Sequence, residues 1–196
     1  LGLPAAGLLG GTAHAQAPSD PFPADPAPAP APTTTTTTTT TETTFTEEEM
    51  RQAAEDFFDS AAGGVAAVIA RVFREQGRPV GYITGQEGSG AWLVGLRYGK
   101  GDMFLKNGER RTVFWQGPSF GFDFGGNASK VFTLVYGMTN ADQIYQRYPG
   151  VEGSAYVIGG LGVNYQAATP VTLAPIRAGV GLRGGTNVGY LAYSRS

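Results

Sequence analysis

The 196-residue sequence contains no cysteine and a single histidine, His14. Without cysteine, the chain can form neither a disulfide framework nor a thiolate metal site. Residues 1–15 are apolar, rich in small residues and end in Ala13-His14-Ala15. This pattern is typical of the end of a secretory signal peptide that is cleaved after Ala15. Such cleavage removes the only histidine, so we expect no histidine base and no metal or other cofactor in the mature protein.

Two further features are scarce in this chain: long apolar runs and an excess of one charge. No later stretch approaches ~20 consecutive apolar residues, so we predict no transmembrane segment. Lys and Arg number 14 and Asp and Glu number 16. A nearly neutral domain lacks the basic surplus that nucleic-acid binding requires. Residues 16–45 are rich in Pro, Ala and Thr and predict a disordered linker, which leaves a domain at 46–196.

Two helices are predicted at the start of this domain. Thr46 and Glu49 have the spacing of a capping box, and the helix that they begin is predicted to run to about Ser60. A second helix follows Gly63-Gly64, because apolar residues recur there at helical spacing: Val65, Val68, Ile69, Val72 and Phe73. Such a stripe packs on a core or lies on a membrane surface, and core packing is the commoner arrangement.

From Val80 onward the apolar period changes from about 3.6 to 2, which predicts strands. We predict hairpin turns at "YGKGDMF" (98–104) and "KNGE" (106–109), with Asn107-Gly108 in a type I′ turn. "NADQIYQRYPG" predicts a short helix from Asn140 to about Tyr148. Short strands at this spacing are typical of a closed antiparallel sheet. The predicted fold is therefore mainly β (α+β): a small soluble antiparallel β-barrel with N-terminal helices.

Several strings match catalytic motifs only formally. Gly117 to Gly121 spells a nucleophile elbow, but that motif needs a strand-to-helix turn and a histidine base. Residues 179–184 spell a dinucleotide-binding fingerprint, but a predicted strand follows it instead of a helix. A hydrolase would need two convergent carboxylates, and the spacing of the candidates pairs none of them: Glu87, Asp102, Asp123, Asp142 and Glu152.

The arginines near the C-terminus are the most informative charges. Residues 153–196 contain no Asp or Glu, yet Arg177 and Arg183 share an alternation face with Leu173. If that face points inward, the guanidinium groups need an anionic ligand, water or a distant carboxylate such as Asp123 or Glu87. The alternative is that both arginines extend to solvent at the rim. Aromatic side chains, among them Trp92, Trp115 and Phe122, either line a pocket above the arginines or form plain core.

Four segments together resemble the alphaproteobacterial envelope-integrity protein EipA family, over about residues 46–196. They are "PVGYITGQEGSGAWLVGLRYGKGDMFLKN", "VFWQGPSFGFDFGG", "VEGSAYVIGGLGVNY" and "APIRAGVGLRGGTNVGYL". The resemblance implies a periplasmic β-barrel with flanking helices, a positively charged pocket and no assigned enzymatic activity. The Gly88-Ser89-Gly90 and Gly153-Ser154-Ala155 segments are also similar to SYLF-type lipid-binding domains, which implies binding of lipid or anionic headgroups.

These observations lead to one expected function and two alternatives. We expect a non-enzymatic periplasmic module that binds an anionic lipid or an envelope glycan precursor in the barrel. Its expected ligand-binding residues are Arg177, Arg183, Trp92, Trp115, Phe122 and Asp123. The first alternative is a protein–protein scaffold with a filled barrel, whose partners are envelope proteins, and the second is a carboxylate-dependent envelope hydrolase. An outer-membrane barrel is disfavoured, because porin-type strands place polar residues inward.

Overall fold

The computed structural model describes residues 42–59, 63–91, 94–120, 128–178 and 189–196. Two α-helices come first, α1 at Glu47–Phe58 and α2 at Val65–Gln76. Ten strands follow within the described ranges: β1 Gly81–Ala91, β2 Val94–Leu105, β3 Arg110–Phe120, β4 Ser129–Tyr136, β5 Arg147–Pro149, β6 Tyr156–Ile158, β7 Leu161–Val163, β8 Gln166–Ala168, β9 Val171–Ala178 and β10 Tyr190–Ser194. A 3₁₀ helix at Ala141–Ile144 lies between β4 and β5.

Helix α1 begins with the predicted capping box. The backbone N–H of Glu49 donates to the Thr46 hydroxyl at 3.2 Å, and the Thr46 N–H donates to the Glu49 carboxylate at 2.7 Å. The two hydrogen bonds satisfy donors that the first helical turn would otherwise leave unpaired. The chain before Thr46 also joins the fold, because the Phe45 N–H donates to the Pro79 carbonyl at 2.8 Å. None of the described helices is long and apolar enough to cross a lipid bilayer.

The strands form one antiparallel sheet in the order β5-β10-β3-β2-β1-β4-β9-β7-β6, with β8 also paired to β9. A bridge between Gly150 and Gln166 joins the β5 side of this sheet to the β8 side. Beside it, the Val151 N–H donates to the Tyr165 carbonyl at 2.8 Å. The sheet thus curls back on itself as a barrel, in which β5 and β8 bring its two sides together and β6 remains at an edge.

The barrel has one apolar cluster outside and one inside. Outside, the stripe of α2 and the buried side of α1 pack on the outward faces of β4, β7 and β9, where Phe132, Leu134 and Ile176 are buried. The α2 stripe is therefore core, with Val65, Val68, Ile69 and Val72 all buried. Inside, the opposite faces of β4 and β9 join β1, β2, β3 and β10 in a second cluster. Strand β4 is thus buried on both faces.

The structure corrects two of the turn predictions. Residues 98–104 form a continuous part of β2, so the glycines there belong to a strand and not to a hairpin turn. At 106–109 the chain does turn, and the Gly108 N–H donates to the Leu105 carbonyl at 2.9 Å. Gly108 has φ of 90°, whereas Asn107 is outside the positive-φ region, so the type I′ prediction was wrong. A positive φ at the last loop residue alone is typical of a turn followed by a bulge glycine.

The helix predicted from Asn140 to Tyr148 is also shorter than expected. Only Ala141–Ile144 is helical, as a 3₁₀ turn capped by the Asn140 side chain. Residues Arg147–Pro149 leave it to form β5 beside β10. The helical spacing was misleading because Ile144 and Tyr148 face the barrel core from two different elements, and both are fully buried.

Candidate functional site

The barrel interior has two chemically different ends. Strands β1, β3 and β9 finish, and β2, β4 and β10 begin, at what we call the polar end. At the opposite, apolar end the inward residues are aliphatic, including Ile83, Met103 and Leu173. Towards the polar end the inward face of β1 carries Glu87, which is only 6% exposed. A buried carboxylate requires compensation, so its partners define the site.

Trp115 reaches Glu87 across two neighbouring strands. Glu87 is paired with Gly99 of β2, and Gly99 with Trp115 of β3. An added Cβ at Gly99 would lie 2.0 Å from Trp115 Cε2, so the indole occupies the space above this glycine. Gly85 makes the same room on β1, where a Cβ would lie 2.7 Å from the ring. The indole Nε1–H donates to Glu87 Oε2 at 2.9 Å, so the inward glycines position Trp115 against the carboxylate.

Arg177 of β9 compensates Glu87 directly. Its Nε–H donates to Glu87 Oε1 at 3.0 Å, and its Nη1 donates to Asn164 Oδ1 at 2.9 Å. The Arg177 side chain is 9% exposed, and Nη2 is buried without a hydrogen-bond partner among the described residues. A buried guanidinium with an unused donor is costly in an apolar protein interior. This nitrogen is therefore the point at which the described cluster is incomplete.

Arg97 of β2 brings a second positive charge to the same carboxylate. Its Nε lies 3.1 Å from Glu87 Oε1, and its side chain is 13% exposed. Among the described residues, Glu87 is thus shared by two guanidinium groups.

The protonation of Glu87 reflects the same balance. Burial disfavours the carboxylate, but the charges of Arg177 and Arg97, together with the hydrogen bonds from Arg177 and Trp115, outweigh it. The pKa of Glu87 consequently lies below its ordinary value. Glu87 is therefore an ionised partner at neutral pH, and a proton-donating role in catalysis does not suit it.

The structure brings together two of the predicted ligand-binding residues, Arg177 and Trp115. The other four, Trp92, Phe122, Asp123 and Arg183, lie outside the described residues. Each of them belongs to a segment whose flanking strands finish and begin at the polar end. Arg177 does face inward with Leu173, and Glu87 is the distant carboxylate that the sequence offered as one means of compensation.

Two members of the cluster were missed from the sequence, Arg97 and Asn164. The alternation of β2 contains a signal for Arg97, because Leu96 and Tyr98 point to one face and Arg97 therefore points to the other. Leu96 and Tyr98 are each 53% exposed, so theirs is the outer face. Asn164 follows β7 in an irregular segment, where alternation gives no indication of direction.

Of the other candidate carboxylates, Asp102 and Asp142 do not join Glu87, and Asp123 lies outside the described residues. Asp102 accepts a hydrogen bond from the exposed Thr112 at 2.7 Å, and its place on β2 puts it on the outer face. Asp142 pairs with Arg195 at 2.8 Å on the surface. Ser119, the serine of the formal nucleophile elbow, lies within β3 opposite Gly95 and not on a strand-to-helix turn. Among the described residues, no group of three or more acidic or histidine side chains has the geometry of a metal site.

Comparison with known proteins agrees with this architecture. The family model "Envelope integrity protein A" matches residues 43–196. A crystal structure of a beta-barrel-like, uncharacterized protein from Brucella abortus is similar at 46% sequence identity with a TM-score of 0.72. The match covers 79% of this chain and 96% of that one. A search of curated proteins gives no significant match.

Proposed function

Since the chain belongs to the envelope integrity protein A family, we propose that it is a non-enzymatic periplasmic module that binds an anionic amphiphile. The ligand would be a lipid or an envelope glycan precursor, held at the polar end of the barrel. Its negative group would approach Arg177, and its apolar part would contact aromatic side chains near Trp115. Arg183, Trp92, Phe122 and Asp123 would complete the site from the segments that connect the strands there.

The observation that carries this proposal is Arg177 Nη2, which is buried without a hydrogen-bond partner among the described residues. Glu87 and Asn164 take the other hydrogen-bonding nitrogens of the guanidinium, so one donor group remains. A phosphate or carboxylate oxygen is the acceptor that a guanidinium binds most strongly.

A titration of the full chain with a short-chain phosphatidylglycerol, followed by calorimetry, tests the proposal. Phosphatidylcholine of the same chain length is the uncharged-headgroup control. We expect saturable binding of the anionic lipid, weakened ~10- to 100-fold by Arg177→Gln, since a hydrogen bond to a charged group is worth about 1.5–3 kcal/mol. Arg74→Gln is the matched control, because Arg74 lies exposed on α2, remote from the barrel interior.

A charge series separates binding from folding. Glu87→Gln removes the carboxylate that competes for the Arg177 guanidinium, and the double variant with Arg177→Gln removes that guanidinium as well. We expect Glu87→Gln to bind the anionic lipid at least as tightly as the unchanged chain does, even though its stability falls, and the double variant to bind it as weakly as Arg177→Gln alone. Equal affinities across the series, or equal binding of both lipids, would contradict the proposal.

A second candidate is the protein–protein scaffold, which the apolar end favours. Its inward side chains are fully buried, including Met103, Val135 and Leu173, so that half of the described interior is filled as a scaffold requires. The same calorimetry separates the two functions. A scaffold would bind neither lipid in its interior, and Arg177→Gln would change its stability alone.

A further inference from the structure

The outer surface of the barrel has two unlike sides. Helices α1 and α2 cover the side formed by β4, β7 and β9. Across the barrel, the outward faces of β2, β3, β10 and β5 form a second side, which we call the basic wall. Its defining residues are Leu96, Tyr98, Lys100, Pro118, Arg147 and Tyr190.

An apolar row crosses the basic wall near the polar end. Leu96 is paired with Pro118, and Tyr190 with Pro149. A Cβ added at Gly117 would lie 2.1 Å from the Tyr190 carbonyl oxygen, which shows how closely β3 and β10 approach here. Leu96 and Tyr98 are each 53% exposed and Tyr190 is 40% exposed. Large apolar side chains grouped in this way mark an interaction surface more often than scattered ones do.

Two cationic side chains lie on the same wall as this row. Lys100 Nζ lies 5.4 Å from the centroid of the Phe114 ring, and Arg147 Cζ lies 4.9 Å from that of Tyr190. Lys100 follows Leu96 by four residues on β2, which corresponds to about 13 Å along a strand. Lys100 therefore lies further from the polar end than Leu96 does, whereas Arg147 stacks on Tyr190 within the row.

The charges of the two sides are opposite. Among the described outward residues of β2, β3, β5 and β10, the bases are Lys100, Arg110 and Arg147, and Asp102 is the one acid. The two helices on the other side together carry three bases and six acids: Arg51, Arg71 and Arg74 against Glu47, Glu48, Glu49, Glu55, Asp56 and Glu75, with five of the acids on α1. An anionic surface would therefore attract the basic wall and repel α1, which would orient the molecule.

We propose that the basic wall docks on an anionic phospholipid surface. Tyrosine rings and short apolar side chains suit the boundary between headgroups and acyl chains, and Lys and Arg suit the negatively charged headgroups. The docked molecule would have its polar end beside the membrane. This inference concerns the outer surface and goes beyond the proposed interior site, so each is tested by different residues.

Co-sedimentation of the full chain with vesicles measures the docking directly. Vesicles of phosphatidylcholine with phosphatidylglycerol are compared with vesicles of phosphatidylcholine alone. We expect binding to the anionic vesicles that weakens with added salt. Lys100→Gln and Arg147→Gln should each weaken it by about fivefold, and Leu96→Ser with Tyr98→Ser by about tenfold or more.

Matched controls distinguish the wall from other exposed residues. Val157 on β6 is 49% exposed, so Val157→Ser removes a similar apolar side chain elsewhere, and Arg74→Gln removes a cation from α2. Both should bind as the unchanged chain does. Arg177→Gln should also keep vesicle binding, which would show that the wall acts independently of the interior site.

Three results would overturn the proposal. The first is no preference of the unchanged chain for anionic vesicles. The second is a loss of vesicle binding in Arg177→Gln while the wall variants bind normally, since this would place lipid capture in the interior. The third is a dimer in sedimentation velocity that Leu96→Ser with Tyr98→Ser dissociates, without vesicle binding, because the wall would then bind a second copy of the chain.

Discussion

The two ends of the barrel interior are built on the same strand faces but differ in chemistry. Ile83 and Glu87 both point inward from β1, and Leu173 and Arg177 both point inward from β9. Four residues, or about 13 Å of strand, separate the members of each pair. The barrel thus changes from an aliphatic core to a charged cluster within its own length, without any change of backbone architecture.

Burial alone explains the stability of the apolar end, but it does not explain the charged side chains of the polar end. Buried aliphatic side chains stabilise a fold simply by leaving water. A buried ion pair is often no more stabilising than apolar residues of the same volume, so its presence calls for another reason. The proposed ligand would supply one, because Arg177 Nη2 has no hydrogen-bond partner among the described residues.

Glu87→Gln should produce the largest loss of stability. The substitution leaves the Arg177 and Arg97 guanidinium groups without their shared carboxylate, and breaking a buried ion pair costs about 3–5 kcal/mol. Urea unfolding of this variant and of the unchanged chain measures the difference. Added inorganic phosphate should restore part of the lost stability. If the variant is as stable as the unchanged chain, the ion pairs of Glu87 do not stabilise the polar end.

Leu173→Ala is the corresponding change at the apolar end. Leu173 is fully buried, so its truncation should cost about 2–5 kcal/mol through lost transfer energy and a residual cavity. The same urea unfolding reports it. Here phosphate should have no stabilising effect, and an effect as large as in Glu87→Gln would mean that the two ends do not differ as described.

Gly99→Ala tests whether the inward glycines make room for the Trp115 ring at the polar end. The new methyl group would overlap the Trp115 ring, which must then move away from Glu87. Such overpacking costs about 1–3 kcal/mol. Gly88→Ala is the control, since a Cβ there meets nothing within 4 Å. Near-ultraviolet circular dichroism should change for the first variant and not for the second, and equal stability of the two would contradict the packing described for Trp115.

The smallest expected difference between the two ends is in how much stability their variants lose at low pH. The folded pKa of Glu87 is lower than its ordinary value of 4.5, so its contribution to stability is complete above that value. The contribution is lost as the pH falls through the lowered pKa, because the unfolded chain then binds the proton more readily. The free energy of unfolding should therefore depend less on pH across this range in Glu87→Gln than in Leu173→Ala. An equal pH dependence in the two variants would show that Glu87 does not cause the loss of stability in acid.

Local sequence signals predicted the helices and placed Arg177 on the same strand face as Leu173, but they left open whether that face points inward. The Thr46 capping box and the apolar stripe of α2 depend on neighbours within one or two turns, so they are readable without a structure. Arg177 follows Leu173 by an even number of residues, so the two side chains point to the same face of the strand. The β-barrel fold was predicted from the same alternation of side chains, with a period of two residues along short strands.

The interior cluster was harder to predict, because it depends on register between distant strands. No sequence rule aligns Glu87 with Gly99 and Trp115, and a shift of one residue would turn each to the other face. Glycine was also ambiguous in this chain. Gly99 was interpreted as part of a turn, although its role is to make room for an indole ring inside β2.

Native mass spectrometry of the chain purified from a bacterial envelope, with organic extraction of whatever co-purifies, tests the central claim most directly. The account predicts a discrete anionic ligand that Arg177→Gln loses and Arg74→Gln retains, and extraction would assign it as a lipid or as a water-soluble envelope precursor. A ligand-free mass for the unchanged chain, identical to that of Arg177→Gln apart from the substitution, would contradict anion binding at the polar end.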